Sequence, residues 1–179
     1  MSENQSTTYI EPTREQIEAL YKFYELIYSS HFALAKKRTL MTTVLGHEVW
    51  SWRVVAITED AIRAIAKNKF NKPSRMLARD HSQARVETYN KIFNEKMDLE
   101  TWWNWVWVND ETILMTNDEH HKKHNEPISK IYELNPKLGF FTNAGLVGWQ
   151  HAKGREGKFV KQLCEEHGIK LRLDSADNS

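Results

Sequence analysis

Apolar positions recur at helical spacing near the start of the chain. Thr13-Arg14-Glu15-Gln16 fits a capping box, and Ile17, Leu20, Tyr21, Tyr24, Ile27, Tyr28 and Phe32 follow at mostly three- and four-residue intervals. The pattern predicts an amphipathic helix reaching about Lys37. His47 to Ile57, rich in Val and Trp, reads as a strand. Thr58 then caps a short helix, with Glu59 and Asp60 in its first turn and Ile62 and Ile65 turned inward. Asn71-Lys72-Pro73 breaks that helix, and Met76 to Arg79 is an extended piece leading into Asp80-His81. Arg85–Asn94 and Asp98–Val108 read as helices. Thr112–Thr116 reads as a strand, followed by a helix capped by Asn117 or Asp118. Phe140–Trp149 fits a hairpin around Asn143-Ala144-Gly145. Lys153–His167 is a last helix stopped by Gly168, and Ile169–Leu173 an edge strand. The polar tails, 1–10 and 174–179, are expected to be disordered, which leaves 11–173 as a single domain.

Composition narrows the class. Of the 179 residues, 40% are hydrophobic and 27% charged, the balance of a soluble globular chain with a real core. The single cysteine, Cys164, excludes an internal disulfide and a Cys-pair zinc knuckle, and suits a reducing cytosol. No apolar run approaches the roughly 20 residues of a membrane span. Met1 to Thr8 has no apolar signal-peptide region, so the expected location is cytoplasmic, without a membrane partner. Trp102, Trp103, Trp105 and Trp107 are most simply core aromatics, with base stacking as the sharper alternative.

A net charge of +1 makes no global demand for nucleic acid, but local charge is uneven. Lys67, Lys69, Lys72, Arg75, Arg79 and Arg85 face one acid in their stretch, Asp80. Such a strip either tracks phosphates or forms a solvated face. Lys122 and Lys123 extend the basic set.

The chemistry gathers in two places. In Glu111–His124 a short apolar strand and a polar turn lead to a helix on which His120 and His124, four apart, share a face. Two imidazoles on one face can hold a divalent ion. Upstream, Asp80-His81 offers a carboxylate and an imidazole able to take a proton from water.

A strand ending in Asp-His, then a strand, a turn and a helix with His-x-x-x-His, resembles the HNH or ββα-metal nuclease superfamily. The specific part covers about residues 76–124. The resemblance implies an α+β fold, a ββα-metal core wrapped by several helices. It implies His81 as general base, Asp80 and His120 as metal ligands and His124 as an additional ligand. The family's central asparagine falls at Glu111, with Asn109 and Asn117 as nearby substitutes; Asn109 is the catalytic candidate. The implied cofactor is a divalent metal, Mg2+ first, with Mn2+, Ni2+ or Zn2+ as alternatives. Arg79, Arg85, Lys72, Arg75, Lys122 and Lys123 are the candidate nucleic-acid contacts.

The expected function is therefore a metal-dependent DNA endonuclease of restriction, homing or phage nicking type, acting on double-stranded DNA. A homodimer through the apolar first helix would suit a palindromic site. The alternative is a non-catalytic nucleic-acid-binding or regulatory protein on a degenerate HNH frame, which the Glu111 substitution favours. A protein-interaction module that inhibits a host protein is a third possibility.

Overall fold

The computed structural model describes residues 11–123, 125–146 and 148–171. The expected disorder of 1–10 and 174–179 lies outside these residues. The fold is mixed α+β. Its helices are α1 (Arg14–Ser29), α2 (Leu34–Gly46), α3 (Glu59–Lys67), α4 (Arg85–Asn94), α5 (Leu99–Asn109), α6 (Asn117–Lys122) and α7 (Lys158–Glu166). Its strands are β1 (Val54–Thr58), β2 (Leu77–His81), β3 (Thr112–Thr116) and β4 (Ile131–Glu133), in sheet order β2-β3-β1-β4. No helix among the described residues is long and apolar enough to cross a membrane.

Contacts divide the chain into two compact units. The first comprises residues 1–55, 81–113 and 135–150. Its core joins α1, α2, α4 and α5 through Leu20, Tyr24, Met41, Ile92, Trp102 and Val106. Tyr24 stacks on Trp102 at 5.4 Å, and its hydroxyl donates to the Ile92 carbonyl at 2.9 Å while accepting from the Met97 amide at 3.2 Å. The phenol is therefore buried with its polar end satisfied. Trp102 is fully buried and Trp103, Trp105 and Trp107 pack against the same core, as the simpler expectation held.

Two boundaries differ from the pattern. The first helix stops at Ser29, because Ser30 turns extended (ψ 156°) and its hydroxyl caps the Ile27 carbonyl at 2.6 Å. A second helix then begins at Leu34, so the stripe to Phe32 spans a break. The strand expected from His47 starts only at Val54. Residues 47–53 form turns instead, with Trp52 in the left-handed region at φ 59°. Asp110 Oδ2 accepts from the Trp52 amide at 2.7 Å, and Trp50 packs edge-on against Trp103. Side-chain packing thus overrides the β propensity of this Val/Trp-rich stretch.

The second unit comprises residues 56–80, 114–134 and 151–179. β4, absent from the sequence expectation, pairs antiparallel with β1 in the register Ala56↔Glu133, Ile57↔Tyr132 and Thr58↔Ile131. Thr58 caps α3 by accepting from the Ala61 amide at 3.2 Å, and Ile62 and Ile65 are fully buried, both as expected. The last helix opens with a π turn, Lys153–Gly157, before α7. Gly157 packs there against the Phe70 carbonyl, where an added Cβ would stand 2.5 Å from the oxygen. Gly168, at φ 60°, ends the helix as expected, with the Ile169 amide reaching back to the Cys164 carbonyl at 3.0 Å. Residues 169–171 form no strand, and the rest of the expected edge strand lies outside the described residues. Cys164 is buried, and burial pushes its thiol up.

Candidate metal and nucleic-acid site

α6 follows β3 directly, and its cap explains how it is held. Thr116 is the cap, in place of Asn117 or Asp118. Its hydroxyl accepts from the Glu119 amide at 3.2 Å, and Glu119 Oε2 accepts from the Thr116 amide at 2.9 Å, closing a capping box. Asn117 is engaged elsewhere. Its amide donates to the Met76 carbonyl at 2.9 Å and its side chain to the Arg75 carbonyl at 2.5 Å, tying the start of α6 to the residues just before β2.

Glu119 is the hub of this corner. Oε2 also accepts from the Thr58 hydroxyl at 2.8 Å, while Oε1 accepts from the Ser129 amide at 3.1 Å and hydroxyl at 2.5 Å. Burial raises its carboxyl, but the bonds from Ser129, Thr116 and Thr58 outweigh this and hold it below the usual range. The ends of β1 and β3 and the segment before β4 thereby meet on one carboxylate.

The candidate ligands Asp80 and His120 come together. His120 Nδ1 lies 3.2 Å from Asp80 Oδ1, and this buried nitrogen has no hydrogen-bond partner among the described residues. Lys123 Nζ donates to both Asp80 oxygens at 2.6 Å. His124 lies outside the described residues. Among the described residues no three His, Cys, Asp or Glu side chains converge on one point. His121 is exposed beside His120.

The expected phosphate contacts separate by environment. Arg75 and Lys122 are exposed and line an open cleft of about 590 Å³ with Asn117, Asp118 and Glu126. Asp60 lies in the same cleft, its carboxyl pushed up by burial and by the Glu119 charge. Lys122 Nζ is 3.6 Å from Glu126, so the lining is of mixed charge. Lys72 is exposed, and its ammonium is lowered by partial desolvation and by the charge of Arg79. Arg79 itself is buried.

His81 belongs to the other unit, and on an extended strand consecutive side chains such as Asp80 and His81 point to opposite faces. His81 is 8% exposed. It sits edge-on to Trp52 at 5.0 Å, with Nε2 3.8 Å from Asp110 Oδ1. That separation exceeds a hydrogen bond, and Nε2 has no hydrogen-bond partner among the described residues. Arg85 stacks over Trp52 at 4.6 Å and donates to the Tyr89 hydroxyl at 2.6 Å. Burial pushes that hydroxyl up against the opposing charge of Arg85. Arg85 is therefore engaged inside the fold.

Glu111, at the central asparagine position, and Asn109, its candidate substitute, are both engaged elsewhere. The Asn109 side chain donates to the Trp105 carbonyl at 2.7 Å and caps α5. Glu111 pairs with Arg53 at 2.9 Å, and the Arg53 guanidinium lies over Trp107 at 3.8 Å. A carboxylate close to His81, 3.8 Å from Nε2, belongs to Asp110, which sequence reasoning did not single out. Its only local signal was its place between the last turn of α5 and the start of β3.

Comparison with family models, curated proteins and solved structures finds no match to this chain.

Proposed function

We propose that this chain is a divalent-metal-dependent DNA endonuclease built on an HNH-like ββα-metal frame. The observation that carries the reading is the pair Asp80 Oδ1 and His120 Nδ1, 3.2 Å apart, the imidazole nitrogen buried and without a hydrogen-bond partner among the described residues. Two cis ligands of one octahedral ion, each bonded at about 2.1 Å, stand about 3 Å apart. The two side chains therefore fit a shared divalent ion. Supporting the frame, β2 and β3 are sheet neighbours and α6 follows β3, with α4 and α5 as the insertion between the strands.

Mg2+ is the proposed ion, and a carboxylate with an imidazole also accepts Mn2+, Ni2+ or Zn2+. Bound there, it would supply charge to the oxygens of a phosphodiester as negative charge develops. His81 is the proposed general base. Arg75 and Lys122, both solvent-exposed, are the proposed contacts to double-stranded DNA.

Plasmid cleavage with Mg2+ or Mn2+ tests the reading. Nicking or linearisation is expected from the wild type and is expected to be lost in both Asp80→Asn and His81→Ala. Failure to cut unmodified DNA with any divalent ion would overturn it. A second reading, a DNA-binding protein on a degenerate frame, is favoured by the burial of His81. It requires a gel shift that persists in EDTA, without cleavage.

A further inference from the structure

Lys123 occupies an unusual place for a surface lysine. It follows the last residue of α6, with 27% of its side chain exposed, and reaches Asp80, whose side chain is 13% exposed. Its ammonium contacts both carboxylate oxygens at 2.6 Å, astride the carboxylate. One of those oxygens is the atom 3.2 Å from His120 Nδ1. A carboxylate this far removed from water needs a cation beside it, and the lysine supplies that charge.

We propose that Lys123 is the resident cation of the Asp80–His120 pair, displaced when a divalent ion binds, and that the released ammonium then becomes a phosphate contact. The proposal rests on the metal-site reading above and adds its regulation. The chemistry is an exchange of cations, with no covalent step. An ammonium on a flexible four-carbon stem can leave without disturbing the backbone, whereas the ligands stay on β2 and α6. Metal affinity is lowered by the fraction of molecules in which Lys123 covers Asp80. Entry of the metal and exposure of a phosphate-binding charge are the same event, so metal and DNA binding should reinforce one another.

Mn2+ titration by calorimetry tests this with wild type, Lys123→Gln and Asp80→Asn. Removing the competing ammonium is expected to tighten Mn2+ binding about fivefold, the scale of a partly exposed ion pair. Asp80→Asn is expected to abolish binding. Unchanged or weaker binding in Lys123→Gln, with Asp80→Asn still abolishing it, would overturn the exchange and leave the metal site standing. No Mn2+ binding by wild type or Lys123→Gln would overturn both. A second readout uses the unaltered protein. Amine labelling of Lys123, followed by mass spectrometry, is expected to rise when Mn2+ is added, and labelling that stays level or falls at saturating Mn2+ contradicts displacement.

Discussion

Glu119 joins three segments through one ionised side chain, accepting from Thr58, Thr116 and Ser129. Its replacement by Gln puts an amide donor where donors already converge, and leaves buried groups unsatisfied. We expect Glu119→Gln to cost about 2 kcal/mol at pH 7. The folded carboxyl is held below its ordinary value, so its charge adds stability above the unfolded value and loses it as pH falls through the folded one. The gap between wild type and Glu119→Gln in urea unfolding should therefore narrow from pH 7 towards pH 3.5. An equal gap at both ends would show that the charge is not what matters. The capping half of this role has a local signal that the expected cap, Asn117 or Asp118, passed over: Thr116-Asn117-Asp118-Glu119 has the spacing of a capping box, and its bonds reach three residues. The bonds to Thr58 and Ser129 cross 61 and 10 residues and leave no local trace. Asp110 is a stronger case. Its bond to the Trp52 amide spans 58 residues, and no nearby residue announces it as a neighbour of His81.

At the scale of elements, helix interiors and the caps of α1 and α3 followed the residue pattern, while the cap of α6 and the breaks did not. The bounds of α4 and β3 fell where the pattern put them, because propensity, periodicity and flanking polar residues agree there. The split between α1 and α2, the late start of β1 and the π turn before α7 each depend on partners far along the chain or on a local cap that overrides the stripe. Gly157 puts this to a test. In a helix interior Gly→Ala ordinarily stabilises by up to about 1 kcal/mol. Here the new Cβ meets the Phe70 carbonyl oxygen at 2.5 Å, and that oxygen is backbone. We expect Gly157→Ala to destabilise by roughly 2 kcal/mol in thermal or urea unfolding. A stabilised variant would mean that the π turn relaxes to an ordinary helix without loss.

At the scale of the whole molecule, each unit carries its own reporter. All seven tryptophans lie in the first unit and the lone cysteine, Cys164, in the second. Cys164 is buried, so a thiol reagent reads the opening of the unit that also holds Asp80 and His120. A ligand that binds only the folded form at 100 times its dissociation constant stabilises by about 2.7 kcal/mol. Mn2+ at that ratio should move the urea midpoint of Cys164 labelling upward, and Asp80→Asn should remove the shift. A midpoint that ignores Mn2+ in the wild type would count against a metal on this unit. The amino-acid sequence by itself determined the mixed helix and strand content, the positions of most helices and strands, and the packing of the Trp cluster into a core. These follow from spacing and hydrophobicity, which act within a few residues. Only the tertiary structure decided which cations remain open to solvent and which are engaged: Lys123 on Asp80, Arg85 on Trp52 and Tyr89, Arg79 in the interior. It also decided that His81 is buried with Asp110 close by. Charge type is written in a residue, but its partner depends on which distant segments fold against it, and electrostatic energy depends on that distance and on burial.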